Sequence, residues 1–124
     1  MILVDTSVWI DHFRLSDALL IDLLLENKVC CHSFVVGELV LGGLKDRQVS
    51  IRRLQRLPHV VSARDSEVLQ LIDQAKLVGS GIGYVDSHLL ASLRLTPGTQ
   101  LWTRDRRLHS MAVRIGLAMT SAMH

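Results

Sequence analysis

Four carboxylates stand in apolar surroundings along this chain: Asp5 closing ILVD, Glu38 inside FVVGELVLGG, Asp86 in GYVDSHLLAS and Asp105 in LWTRDRRL. A lone carboxylate out of water costs several kcal/mol or takes up a proton, so four such groups need a common partner. A divalent cation is the simplest one. Hard divalent ions prefer oxygen donors, and magnesium keeps several waters while using few protein carboxylates, which suits four acids around one or two ions. The chemistry expected of such a centre is metal-assisted hydrolysis.

The other eight of the 12 acidic residues have simpler explanations. Asp17 and Glu67 fall in first helical turns, where negative charge meets the helix dipole, and Asp46 and Asp65 are expected caps. Asp22 and Glu26 share an exposed helix face, Asp73 lies opposite an apolar stripe, and Asp11 is ambiguous. Glu38 has no such role, being the only charged or polar side chain between Ser33 and Lys45. Asp5 and Asp105 each follow a strand, where open parallel sheets gather ligands, although either could instead cap the next helix. Asp86 could equally be a first-turn acid of its own helix.

Formal charge is +2 with a pI near 8.8, too mild to identify a polyanion ligand, but the distribution is uneven. Arg104, Arg106 and Arg107 flank Asp105, and cations beside a carboxylate pocket suit a polyanionic substrate drawn to bound metal. Lys45, Arg47, Arg52, Arg53 and Arg56 form a second group, read either as a solvated helix face or as a contact surface.

The elements that must position these residues alternate short apolar runs with helical patterns, the signature of a parallel sheet covered by helices. Strands are expected at residues 2–5, 28–32, 59–62 and 100–103, with a marginal edge strand in the tail LAMTSAMH. Helices are expected from Thr6 to Phe13, Ser16 to Glu26, Ser33 to Leu44, Asp46 to Leu57, from Asp65 or Ser66 onward, Tyr84 to Leu95 and Asp105 to Ile115. Pro58 and Gly116 act as stops, and Gly79 to Gly83 form a flexible loop. Trp9 and Phe13, four residues apart on the first helix, are expected in the core.

The 124 residues are 48% apolar and 21% charged, which suits one domain over 1–124. Aromatics are only 4%, so no base-stacking module is expected. Cys30 and Cys31 are adjacent, a strained spacing for a disulfide, and read as strand hydrophobes in a reducing compartment. The first residues make a poor signal peptide, and no stretch reaches the roughly 18 unbroken apolar residues of a membrane span. A cytoplasmic location is expected, with no membrane partner.

Asp5 within VDTSVWID, Glu38 within GELVLG, Asp86 within VDSHLLAS and Asp105 within TRDRRL together resemble the PIN-domain nucleases, in particular the small VapC-type toxins of bacterial toxin–antitoxin pairs. The likeness runs in order over nearly the whole chain. It implies an α/β, three-layer α/β/α PIN-like fold with a parallel sheet of four to five strands. It also implies a magnesium or manganese (Mg2+ or Mn2+) site ringed by Asp5, Glu38, Asp86 and Asp105, cleavage of RNA, inhibition by a cognate VapB-type antitoxin, and a homodimer. Some members carry another acid two residues beyond the last aspartate; here that position is Arg107.

On that reading a water activated at the metal attacks an RNA phosphodiester in line, leaving 5′-phosphate and 3′-hydroxyl ends. Asp5, Asp86 and Asp105 are the stronger ligand candidates, and Glu38 orients or deprotonates the water. Thr6 and Thr103 offer hydroxyls to the ligands or to a phosphate oxygen, if they do not simply cap helices. Trp9 and Phe13 could then line a groove for an antitoxin segment.

Other chemistries fit less well. The six histidines are scattered without paired spacing, and there is no H-E-x-x-H, cysteine zinc pattern or phosphate loop. A dehalogenase-like phosphatase would want an aspartate where Ser7 stands, and a response-regulator receiver a lysine near the last strand, yet none follows Lys76. The non-enzymatic alternative is a catalytically weak PIN domain that binds RNA or a partner through its basic helices.

Overall fold

The computed structural model describes residues 1–120. In chain order its elements are β1 (Ile2–Val4), α1 (Thr6–Arg14), α2 (Ala18–Leu25), β2 (Val29–Cys30), α3 (Ser33–Leu41), α4 (Arg47–Arg56), α5 (Asp65–Gln74), α6 (Tyr84–Arg94), β3 (Gln100–Trp102) and α7 (Arg106–Arg114). β1 is central, with β2 and β3 parallel on either side in the order β2-β1-β3. Ile2 pairs with Val29 and Gln100, which puts the ends of β1 and β3 level.

Ile2, Leu3 and Val4 are all buried although successive strand residues point to opposite faces, so helices cover both sides of the sheet. The core is aliphatic, dominated by Leu3, Leu20, Leu39, Leu89, Leu93 and Leu108. Its most enclosed helix is α6, buried continuously from Ser87 to Leu93. Cys30 and Cys31 are free buried thiols whose pKa values burial pushes up to about 11.

Among the described residues the sheet has three strands where four to five were expected, and its two edges are extended by single parallel bridges, Cys31 to His59 and Leu101 to Ala118. The expected strand at 59–62 is reduced to that bridge for a visible reason. Val60 N–H donates to the Cys31 carbonyl, but the Thr96 hydroxyl takes the N–H of Val61 and the Ser92 hydroxyl that of Ala63. The segment is thereby drawn off the sheet onto α6 and its end. In the tail, Ala118 supplies the expected edge contact, and residues 121–124 lie outside the described residues.

Several termini also differ from expectation. α3 stops at Leu41, with Gly42 at its end and Gly43 at φ +76°, before the expected Leu44. Asp17 caps α2 by accepting from Leu20 N–H at 3.0 Å, one position outside the first turn. Asp46 precedes α4 in the left-handed conformation, with φ 48°, and its side chain caps nothing. Asp65 is the first residue of α5, where the cap position belongs to Arg64.

Candidate active site

Asp5 continues β1 by donating its N–H to the Trp102 carbonyl at 2.9 Å, and its own carbonyl accepts from Val8 and Trp9 to start α1. It therefore occupies the cap position of α1, yet its side chain caps nothing. The carboxylate instead accepts from Thr103 Oγ1 at 2.7 Å and Ser7 Oγ at 2.8 Å, both on Oδ2, and is only 6% exposed. A helix cap does not explain it.

The same hydroxyls tie the end of β3 into the site. Thr103 Oγ1 also accepts from Asp105 N–H at 3.1 Å, and Ser7 Oγ accepts from Arg104 N–H at 3.0 Å. Asp105 does cap α7, its Oδ1 accepting from Leu108 N–H at 3.0 Å, while Oδ2 has no partner among the described residues. Capping one oxygen fixes the direction of the other. On α3, Glu38 Oε1 accepts from Thr6 Oγ1 at 2.9 Å, joining the first turn of α1 to that helix.

Asp86 lies half-buried in the first turn of α6, with Gly83 N–H at 3.4 Å from its Oδ2. Burial raises its pKa to about 6, reinforced by the negative charges of Asp5, Asp105 and Glu38 and opposed by the Gly83 amide. Four acids from four separate stretches of chain thus share one electrostatic neighbourhood at the carboxyl end of the sheet.

The arrangement is more open than the apolar sequence contexts suggest. Asp5 is buried and Asp86 half-buried, but Glu38 and Asp105 are exposed, so desolvation acts on only two of the four. Among the described residues, no three His, Cys, Asp or Glu side chains are already drawn closely enough together to hold an ion.

The arginines divide. Arg104, expected at a phosphate, spends both guanidinium arms on Asp11 and Asp17, at 2.5 and 2.6 Å, and lies over the Trp102 ring. It braces α1 and the cap of α2 against the end of β3. Arg107 lies against the loop before α6, where a Cβ on Gly81 would meet its Cδ at 2.9 Å. Arg106 is exposed.

The residue that sequence reasoning missed is Ser7, which shares Asp5 with Thr103; its only signal was its place two residues after Asp5. Phe13 is not a core residue: it is 43% exposed and stacks on the buried Trp9 at 5.8 Å between ring centres. A second aromatic group, Phe34 and Tyr84 each 4.9 Å from the His88 ring, lies on α3 and α6.

Residues 2–114 match the PIN domain, and the chain belongs to the PIN-domain family. Within that family its likeness is to the VapC type. Ribonuclease VapC32 of Mycobacterium tuberculosis, in each of two strains, is 44% identical over 119 residues, covering 96% of this chain and 96% of its own. VapC-type PIN nucleases depend generally on divalent metal ions. No helix among the described residues is long and apolar enough to cross a membrane.

Proposed function

We propose that this chain is the toxin of a VapBC-type toxin–antitoxin pair, a metal-dependent endoribonuclease that hydrolyses RNA phosphodiesters. All 124 residues are read as one PIN domain working in the cytoplasm, as a homodimer, and inhibited by a cognate VapB-type antitoxin. The observation that carries the reading is the 44% identity to Ribonuclease VapC32 over 96% of the chain, and the meeting of Asp5, Glu38 and Asp105 around half-buried Asp86 supports it. Likeness to a ribonuclease over nearly the whole chain supports the substrate.

The donor set fits a hard divalent ion, because every candidate ligand is a carboxylate oxygen and repulsion at Asp86 is what a cation would relieve. Asp5, Glu38, Asp86 and Asp105 would hold magnesium or manganese. When bound, the ion supplies positive charge for the phosphate oxygens and acidifies water.

The chain's own groups do the rest. Thr103 and Ser7 hold Asp5 in one orientation, so that Oδ1 stays available. Thr6 occupies Oε1 of Glu38 and leaves Oε2 to orient the attacking water and take its proton. Arg106 and Arg107 steer the phosphate backbone, and Arg104 acts on the site through its brace.

The test is cleavage of total RNA by purified protein. Asp5→Asn and Glu38→Gln should each lose at least about 100-fold in rate while keeping native circular dichroism, and chelator should abolish cutting. Ends should carry 5′-phosphate. Cyclic 2′,3′-phosphate ends, or full activity in chelator, would rule the mechanism out.

A further inference from the structure

α4 is a cationic helix that makes no ion pair among the described residues. Its sequence, RQVSIRRLQR, contains no acid, and Arg47, Arg52, Arg53 and Arg56 are all exposed, as is Lys45 just before it. The ion pairs among the described residues join Lys28 to Glu26, Arg64 to Glu67, His88 to Asp65, and Arg104 to Asp11 and Asp17; none reaches α4.

The helix is anchored by Leu54, which is buried, and Ile51, which packs against the core. Arg56 lies four residues from Arg52 and three from Arg53, so the three form one stripe on the outward side. Like charges at these spacings destabilise a helix. Arg53 and Arg56 recover part of that loss in the last turn, where they meet the negative end of the dipole. Arg52 donates its Nε to the Gln48 carbonyl at 3.3 Å, which steadies the side chain and leaves both terminal nitrogens outward.

A stripe that repels itself and pairs with no acid among the described residues calls for an external polyanion. Arginine forks match phosphate oxygens two at a time, and neighbours one helical turn apart can take successive phosphates. A protein partner would want an apolar centre, and on this face only Val49 is apolar among Gln48, Gln55 and the arginines. α4 packs against α3, the helix that carries Glu38, so the stripe belongs to the same body as the candidate site.

We infer that Arg52, Arg53 and Arg56 form a second RNA contact, gripping the sugar–phosphate backbone away from the carboxylates. This rests on the ribonuclease reading and deepens it. The contact is electrostatic and blind to base identity, so it sets affinity and leaves the choice of cut site to other residues.

The experiment uses the full chain in an Asp5→Asn background, so that RNA stays intact, with a fluorescein-labelled single-stranded RNA oligonucleotide of mixed sequence. Replacing all three by Gln should weaken binding roughly 10- to 100-fold at physiological salt and lower the slope of log affinity against log salt by about 2. The triple Lys variant should keep the slope. In the cleaving protein, the Gln variant should raise KM and leave kcat unchanged. Thermal melting guards against misfolding, since removing like charges should leave the melting temperature unchanged or higher.

An unchanged slope with RNA still bound and cut overturns this inference alone. So does a Gln variant that binds RNA like the parent but no longer co-purifies with a co-expressed antitoxin, which would make the stripe a protein interface. A parent chain that neither binds nor cuts RNA overturns the ribonuclease reading together with it.

Discussion

Thr103 shows how much of the candidate site depends on one hydroxyl, which donates to Asp5 and accepts from the Asp105 amide. Thr103→Val keeps the shape and removes both bonds. It should cost about 1–2 kcal/mol in urea denaturation and slow single-turnover cleavage by roughly 10- to 100-fold, because an unheld carboxylate is a poor ligand. His32 gives a different test. Its Nδ1 accepts from Phe34 N–H, which puts the ring proton on Nε2, facing Ser92, and burial, with His88 and His59 nearby, lowers its pKa to about 4. The ring is favoured as neutral in the fold and as a cation in the unfolded chain. Its contribution is therefore present above pH 6.5 and lost as pH falls toward 4, roughly 2 kcal/mol between pH 7 and 5. Urea midpoints should show that slope, and His32→Gln should flatten it. At this scale the acids were legible because a carboxylate interrupts an apolar run. Ser7 was not, since a serine in a first helical turn looks like any other. Arg104 was misread because its partners, Asp11 and Asp17, lie 93 and 87 residues away.

Among the elements, helix starts were largely legible, because α6 begins at Tyr84 and α3 at Ser33 as periodicity and capping indicate. Strand extent was not. Nothing local to residues 59–63 announces that Thr96 will take the amide of Val61 and Ser92 that of Ala63, so a run that looks like a strand gives one bridge. The loop before α6 offers a prediction of its own. Gly79 and Gly81 both have positive φ, near +77° and +85°, but only Gly81 is crowded, by Arg107. Gly79→Ala should cost about 1 kcal/mol from backbone strain alone. Gly81→Ala should cost more and also displace Arg107 over the start of the Asp86 helix. Denaturation midpoints of the two variants, with KM for RNA raised in the second only, check this; equal effects would mean that the Arg107 contact carries no weight.

Over the whole molecule, the candidate site draws its residues from the end of β1, α3, α6 and the β3–α7 junction, so they come together only when the sheet is formed. An ion that bridges these elements binds the folded chain and not the unfolded one, and should raise its stability by about 2.7 kcal/mol at a hundredfold excess over Kd. Melting curves with and without manganese should separate by several degrees in the native sequence and coincide in Asp86→Asn. Coincident curves in both would leave the four acids without their common partner. Apolar settings and strand ends suggested that these acids share a partner, and the ordered likeness to a family joined residues 5, 38, 86 and 105 into one set, because no spacing rule along the chain does so.

The two adjacent free thiols at the end of β2 carry one more consequence. Cys30 pairs with the central strand and Cys31 with His59, both shut from solvent and held as unreactive SH groups by pKa values near 11. Disulfide reagents should therefore ignore the native protein and trap it only when the sheet parts, so the trapping rate becomes a clock for opening that needs no engineered probe.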